Sequence, residues 1–478
     1  MGCAKSPSSA DPSAIRMLVA SLPNTLNPRT ALDQASQKIL AAVYPSVIEP
    51  SAPHTVSPDG KRWRFKAGLV APAENLAECL KEYQTGEPPS AFRDVFKDVA
   101  AIEAQGGELA ITLKRPNPDF ADEATGVRFF RQPGRLACQD PVEGQPITSP
   151  GPYRIGDGRY ASAIPERRLD LVPNPLTADG LSPLSIYFVK DENTRALRIL
   201  RGEIDAAWTA ISLAKERWIE RELTRDFTHQ EVHGSSVSYL AFNLNDPILR
   251  DVRVRRAIAA AIDKRAIIEQ KLYGFCDPAS SFLPPDHPDL LKASFPYDPA
   301  RARAWLDEAG YPARDGKPRF TLKYKTTPVR EGIEFSQMVR HYLEKVGIAL
   351  EIQVLEPAVF LAHTRHGNFQ LYSSRWLETR TPAPLLNALR SGDRRNRVGY
   401  RNATLDRIID QTREEPDPKR RGRQLREIQA HLQRDLPYFP LWYWKNSIVL
   451  RKDLERSEHF ARDFQGRLEE FGKLKRRK

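Results

Sequence analysis

Twice in this chain a strand is followed by a helix and then by another strand. Residues 185–189 are apolar enough for a strand, 192–201 have helical spacing and stop at Gly202, and 203–208 return as a strand. Further on, 320–324 reads as a strand, 331–346 as a helix closed by Gly347, and 348–354 as a strand. A helix over 357–365, closed by Gly367, and a strand over 369–372 complete the series. A strand that returns after a helix lies parallel to its predecessor, and a parallel sheet needs helices on its faces. The spacing therefore predicts an α/β protein built from two such lobes, and 478 residues suffice for two large lobes or about three ordinary domains.

Other segments fill in around this frame. Ile15 to Ala20 suits a first strand and 31–43 a helix. Ser57-Pro58-Asp59-Gly60 is a turn leading into the alternating strand 62–65, 73–83 reads as a helix, and 109–113 alternates as a strand. Pro and Gly dominate 131–184, which is expected as loop around one strand at 168–172. Tyr239 to Asn243 is a strand. Val254, Ile258, Ala261, Ile262 and Ile268 recur at helical spacing and predict one helix over 252–272. Helices over 299–309 and 419–436 and a last strand over 447–450 complete the pattern.

The chemistry of a reaction is missing. There is no phosphate-binding loop, and Gly156-Asp157-Gly158 lacks a third glycine and a following helix. No Gly-x-Ser-x-Gly and no His-Glu-x-x-His occurs. His363 and His366, or His229 and His233, are pairs, and two histidines alone rarely hold a metal. No cofactor, no metal site and no enzyme is expected. Net charge is +12, which favours acidic neighbours without choosing among them. The arginine runs 390–397, 419–423 and 473–478 come with no nucleic-acid-binding motif, so no nucleic-acid partner is expected. Four cysteines are too scattered for a disulfide scaffold. Cys79 and Cys138 admit two readings, a disulfide in an oxidising compartment or two buried thiols.

The first ten residues hold no complete signal peptide. Gly2-Cys3 followed by a polar Ser, Pro and Ala tether resembles the end of a bacterial lipoprotein signal, with the start truncated or misassigned and Cys3 as the acylated residue. Residues 1–14 are expected as a flexible tether.

Aromatic residues collect where strands end: Trp208, Tyr239, Trp376, Trp442, Tyr443 and Trp444. Ligands of open α/β sheets bind beyond the carboxyl ends of strands. An ordered set of short motifs accompanies them. It includes Pro23-Asn24-Thr25-Leu26-Asn27-Pro28, Ser57-Pro58-Asp59-Gly60 with Trp63-Arg64-Phe65, Gly151-Pro152-Tyr153, and Arg201-Gly202-Glu203-Ile204-Asp205. The strongest joins Tyr239-Leu240-Ala241-Phe242-Asn243 to Asp251-Val252-Arg253-Val254-Arg255-Arg256-Ala257 and Ala261-Ile262-Asp263-Lys264. Asp298-Pro299-Ala300-Arg301-Ala302 and Leu436-Pro437-Tyr438-Phe439-Pro440-Leu441 follow. In this order the set resembles the extracytoplasmic solute-binding proteins, family 5, of ABC importers, the peptide/nickel type, from about residue 16 to 452.

The resemblance implies a two-lobed, type II periplasmic-binding-protein-like α/β fold. Lobe I would span 15–239, with an extra subdomain inserted at about 45–147, and lobe II would span 240–435. Residues 436–478 would return to lobe I and end as a basic tail, with hinges near 234–238 and 434–438. It further implies a small-molecule or peptide ligand captured between the lobes and delivered to ABC permease subunits. The protein would be a monomer in the periplasm or cell envelope, tethered to the membrane through Cys3. A ligand-sensing regulatory protein using the same module is the alternative. The expected ligand-binding residues are Asn27, Trp208, Tyr239, Asn243, Arg375, Trp376, Glu378 and Trp442. One departure bears on specificity: where the family's peptide binders place an Asp for the peptide's amino group, this chain has Thr379, with Glu378 beside it. Arg375 and Arg380 point instead to a carboxylate or other acidic ligand.

Overall fold

The computed structural model of the chain describes residues 11–48, 53–67, 71–162, 168–177, 180–211, 218–219, 221–222, 226–313, 315–376, 381–455, 460, 464 and 466–477. The chain forms two compact units, Met1–Val232 with Asn446–Lys478, and His233–Lys445. The mixed α/β character expected from the strand–helix–strand pattern is what is found.

The first unit contains β1 (Ile15–Val19), β2 (His54–Val56), β3 (Arg62–Lys66), β4 (Val99–Gln105), β5 (Glu108–Leu113), β6 (Tyr153–Ile155), β7 (Arg168–Pro173), β8 (Leu184–Phe188) and β9 (Ala206–Trp208). One sheet runs β6-β7-β8-β1-β9, and β1 is parallel to both β8 and β9. The crossover from β8 to β9 is the helix Glu192–Leu200. Asp191 caps it by accepting from the Thr194 N–H, and Gly202, at φ +69°, turns the chain out of it. A second, antiparallel sheet, β2-β3-β5-β4, packs against the helix Ala73–Thr85. β4 was not expected, because Val-Ala-Ala-Ile-Glu-Ala carries no period-2 apolar pattern. It is set by the hairpin Gly106-Gly107, both at positive φ, and by a bulge between Val99 and Ala101. Cys79, on the helix Ala73–Thr85, is disulfide-bonded to Cys138, with the Cα atoms 4.8 Å apart. This decides between the two readings of that pair.

The carboxyl-terminal segment is not the solvated tail its charge suggests. Leu468, Phe471 and Leu474 are buried in the first unit's core, and Lys475–Arg476 pairs antiparallel with Leu454–Glu455. Arg476 donates to Asp205 Oδ2 at 2.7 Å. Apolar residues three apart supply the contact that the basic composition hides.

The second unit is entered through β10 (Phe227–Phe242), which starts in the first unit, and contains β11 (Cys276–Pro278), β12 (Phe320–Thr326), β13 (Ile348–Val354) and β14 (Leu371–Trp376). It is left through β15 (Tyr438–Arg451), whose residues Ile448–Leu450 pair with β9. Its strands run β13-β12-β14-β10, with β12 parallel to β13 and β14 and β14 antiparallel to β10. The helices Arg330–Glu344 and Pro357–Arg365 make the two crossovers. The single helix expected over 252–272 is two, Val252–Ala261 and Lys264–Gln270. Asp263 breaks it: its side chain accepts from the Ala266 N–H as a new N-cap, a role Asp fills better than a helix interior. β15 is also longer than expected. Its strand begins at Tyr438, so the aromatic run 438–444 is sheet and not a linker.

Lys264 ties this unit together. It is 7% exposed, and its Nζ donates to the carbonyls of Ala279 at 2.8 Å and Pro440 at 3.0 Å. The rings of Phe295 and Phe439 lie 5.1 and 4.9 Å away. Burial pushes its pKa down to about 7 from 10.5. In that interval the unfolded chain binds a proton that the folded chain does not. Stability therefore rises with pH across it, by up to about 1.4 kcal/mol per pH unit, and falls away as pH drops toward 7. Lys264→Met should remove this slope from urea-unfolding free energies taken at about pH 7, 8 and 9. Parallel pH profiles for the two proteins would show that Lys264 is not its source.

Candidate functional site

The carboxyl ends of β12 and β14, which are adjacent and parallel, are where a ligand of such a sheet is expected. Arg375 sits there, one residue before the end of β14, opposite Ser238 on β10. Its guanidinium lies 3.7 Å from the centre of the Trp444 ring. Trp444 is itself oriented, since its indole N–H donates to Ser238 Oγ at 2.8 Å. Two residues earlier on β15, Trp442 lies 6.4 Å from Trp444, and Phe335 of the helix Arg330–Glu344 meets Trp442 edge-on at 5.2 Å. The result is a cation over the half-buried Trp444 ring, which is backed by Trp442 and Phe335 of the core.

Arg375 is solvent-exposed, and its guanidinium makes no hydrogen bond or ion pair with a described residue. The protein around it removes part of its hydration and lowers its pKa to about 10, against smaller opposing pulls from Cys276 and then Glu331. It is therefore a cation at neutral pH. A guanidinium held over an indole, with no carboxylate partner among the described residues, is arranged to accept one.

The remaining expected residues separate into groups. Tyr239 and Trp376 meet at 4.9 Å, and Phe282 and Tyr438 complete a cluster with them, Phe282 lying 4.1 Å from Trp376. Tyr239 is buried, which raises its hydroxyl pKa, while Trp376 is half-buried. Asn243 staples a loop: its Nδ2 donates to the carbonyls of Gly367 at 2.9 Å and Phe369 at 2.6 Å, and its Oδ1 accepts from the Asn245 N–H. Those bonds occupy its amide, so a ligand role is not what holds it in place. Trp442 is 4% exposed, and its indole N–H has no partner among the described residues. In the first unit, Asn27 accepts from the Arg29 N–H at 2.9 Å and donates to Asp140 at 3.1 Å. Trp208 is buried against Phe464 and Phe471, with Lys38 Nζ 3.6 Å above its ring. Glu378, Arg380 and Cys3 lie outside the described residues.

Nothing among the described residues brings three His, Cys, Asp or Glu side chains together for a metal. His363 Nδ1 is 2.9 Å from Lys325 Nζ, and His229 Nε2 is 3.3 Å from Ser447 Oγ. No helix among the described residues is long and apolar enough to cross a membrane. Two recesses of about 510 and 420 Å³ occur in the second unit, the first lined by Lys264, Phe295 and Tyr297 and the second by Arg250, Arg401 and Asp435. Neither reaches Arg375 or the tryptophans. Ser238, Phe335 and Glu331 were not expected from the sequence. The alternation of Trp442 and Trp444 was a legible signal for one face of a strand. The residues that meet them from β10 and the helix carried none.

Residues 74–396 match the family model described as "Bacterial extracellular solute-binding proteins, family 5 Middle". The chain is 23% identical over 403 residues to the dipeptide-binding protein DppE of Bacillus subtilis (strain 168), covering 80% of this chain and 72% of that one. It is 25% identical over 370 residues to the periplasmic murein peptide-binding protein MppA of Escherichia coli (strain K12), covering 74% of this chain and 66% of that one. The crystal structure of NikA from Brucella suis, in complex with Fe(III)-EDTA, superposes with a TM-score of 0.82 at 20% identity, over 98% of this chain and 100% of that one. The two-lobed α/β fold and the ordered motifs agree with these matches. The chain belongs to the bacterial extracellular solute-binding proteins, family 5, and is the solute-binding component of an ABC importer.

Proposed function

We propose that the captured solute is a peptide or peptide-like molecule carrying a carboxylate, which docks on Arg375 with its body against Trp444. The observation that carries this is the Arg375 guanidinium, cationic, exposed and without a carboxylate among the described residues, laid 3.7 Å over an indole that Ser238 holds in place. The dipeptide- and murein peptide-binding relatives support the ligand class, and the EDTA complex of NikA is one more carboxylate-rich guest on this fold. Trp376, half-buried and backed by Tyr239, would line the neighbouring face, with Glu378 close by in sequence. Binding and handover to the permease subunits is the role, by a monomer that performs no turnover. The disulfide fits an oxidising, extracytoplasmic compartment. Acylation of Cys3 would keep the protein at the membrane, and Cys3→Ser should then shift it from the membrane to the soluble fraction of cells.

The direct test is to purify the protein from cell envelopes, denature it and identify the released small molecules by mass spectrometry. Short peptides or another carboxylate compound are expected, and a single ligand lacking any carboxylate would sink the reading. Arg375→Gln should weaken binding of the recovered ligand about 10- to 100-fold, the effect of losing a charge-assisted hydrogen bond of about 1.5–3 kcal/mol. An unchanged affinity in titration calorimetry, with an unchanged melting temperature, would remove Arg375 from the site.

A further inference from the structure

The second unit carries a cationic recess that does not include Arg375. Its volume is about 420 Å³, and it lies between the turn after β10, residues 244–250, and the loop 399–401. The Leu244 N–H donates to the Val398 carbonyl at 2.9 Å and ties the two segments together. Gly399, at φ +73°, lets the loop pass close to Asn245, where a Cβ would run into the Asn245 amide. Asn396 clamps the same loop, donating to the Tyr400 carbonyl at 2.7 Å and accepting from the Tyr400 N–H at 3.1 Å. Asn402 fixes its far side as the cap of the helix Ala403–Glu414, accepting from the Leu405 N–H at 3.0 Å. The walls of the recess are therefore set by the chain itself.

Arg250 and Arg401 line these walls. Both are exposed, and neither guanidinium has a hydrogen bond or ion pair with a described residue. The carboxylates nearby are already engaged. Asp246 accepts from the Ile248 and Leu249 N–H groups and from Gln370 Nε2 at 2.8 Å. Asp251 is held by Arg253 at 2.6 Å. Asp435, in the wall itself, accepts from the Tyr400 hydroxyl at 2.5 Å and from Arg434 Nε at 3.0 Å. The third cation of the wall, Arg255, is 4% exposed. Its guanidinium donates to the carbonyls of Leu249, Arg250, Asp435 and Leu436 and forms no ion pair with a described residue. Burial lowers its pKa only to about 10, so it stays charged at neutral pH. Three guanidiniums and one carboxylate thus line the recess, an excess of two positive charges. Such a concavity concentrates anions.

The arrangement also says which anion. Two open guanidiniums on separate segments suit a group whose oxygens point in several directions and whose charge approaches two. A phosphate meets both conditions, whereas a carboxylate presents two coplanar oxygens and one charge. The recess is on the order of ten times a water's share of liquid volume, so the phosphate can carry an organic substituent. We propose that this recess binds a phosphate group, free in solution or on a lipid headgroup, with Arg250 and Arg401 as its charged partners. The assignment is independent of the carboxylate reading of Arg375.

The experiment uses the full chain at constant ionic strength. Pyrophosphate and glycerol phosphate are titrated by calorimetry. Co-sedimentation is measured with vesicles of equal parts phosphatidylglycerol and phosphatidylcholine, and with phosphatidylcholine alone. The proteins compared are the wild type, Arg250→Gln, Arg401→Gln and Lys66→Gln, the last removing one exposed charge from the first unit. Melting temperatures without added phosphate should agree across all four, since each changed side chain is exposed. Each recess variant should weaken binding at least about tenfold, while Lys66→Gln should change it less than about twofold, because a distant charge is screened. Binding of the soluble phosphates with these losses assigns a free phosphate, and binding confined to the anionic vesicles with the same losses assigns a headgroup. Equal losses in Lys66→Gln and the recess variants would reduce the effect to general surface charge and overturn the site. A loss in neither or only one of the two recess variants would overturn it as well, as would no binding of either source at millimolar concentration.

Discussion

Replacing Cys79 and Cys138 together by serine will destabilise the protein by about 4 kcal/mol, by the loop-closure entropy of a cross-link of this span. The two residues are 59 apart in sequence, and the bridge joins the helix Ala73–Thr85 to the loop that follows Phe130. Both cysteines are fully buried in the core of the first unit, so the reduced protein also has to house two thiols where one bridge was packed. The measurement is the urea midpoint of the double variant against wild type, with the wild type in excess reductant as a second arm. Both arms should shift downward by similar amounts. A loss below about 1 kcal/mol would mean that the unfolded chain is already restrained there, so that the cross-link removes little entropy from it.

The second large effect is expected at Asp205. Its side chain is completely buried, yet it is a carboxylate, and three arginines converge on it. Arg16 donates through Nε at 2.9 Å and Nη2 at 2.7 Å, Arg476 through Nη2 at 2.7 Å, and Arg451 stands 3.9 Å off. Asp205 also accepts from the Arg16 backbone N–H at 2.8 Å. Asp205→Ala leaves three like charges facing a hole. Breaking a buried pair in this way costs about 3–5 kcal/mol, and the low end applies because the arginines keep about a quarter to a third of their exposure. The loss should be local in its consequences. Arg476 anchors the carboxyl-terminal strand Lys475–Arg476, so amide exchange should accelerate in 466–477 before it does in β8 or the helix Glu192–Leu200. Uniform acceleration across the first unit would contradict a local anchor. Asp205→Asn, which keeps the shape, should restore packing but not the charge balance, and should fall between the two.

The periodic parts of the molecule are legible in the amino-acid sequence. Helical spacing in 330–344 and 357–365, with Gly347 and Gly367 as stops, identified the crossovers of the second unit, because a buried apolar stripe must recur at the helix period whatever it packs against. The family, too, was readable from short motifs in order. What failed locally failed for identifiable reasons. Asp263 lies inside a long apolar repeat, and only its capping bond to Ala266 shows that it divides the helix. β4 is Ala-rich and gains its strand character from its partner β5. The basic carboxyl terminus reads as solvent-loving until Phe471 and Leu474 are seen in the core.

The candidate site divides along the same line. That Arg375 and Trp376 belong near the end of a strand is a one-dimensional fact, set by where an apolar run stops, whereas Trp442 and Trp444, expected at a strand end, lie inside β15. That Arg375 lies on Trp444, that Ser238 fixes that indole, and that Phe335 backs Trp442 behind it are facts of three separate strands and a helix brought together across long stretches of chain. The chain therefore determined by itself its class, its crossovers and its family, since each depends on local periodicity or on ordered short motifs. Only the tertiary structure decided which charged groups remain unpaired and which aromatic rings are core. Asn243 and Trp208 show why: the same residue types become a loop staple or a core contact once backbone carbonyls or other rings reach them first.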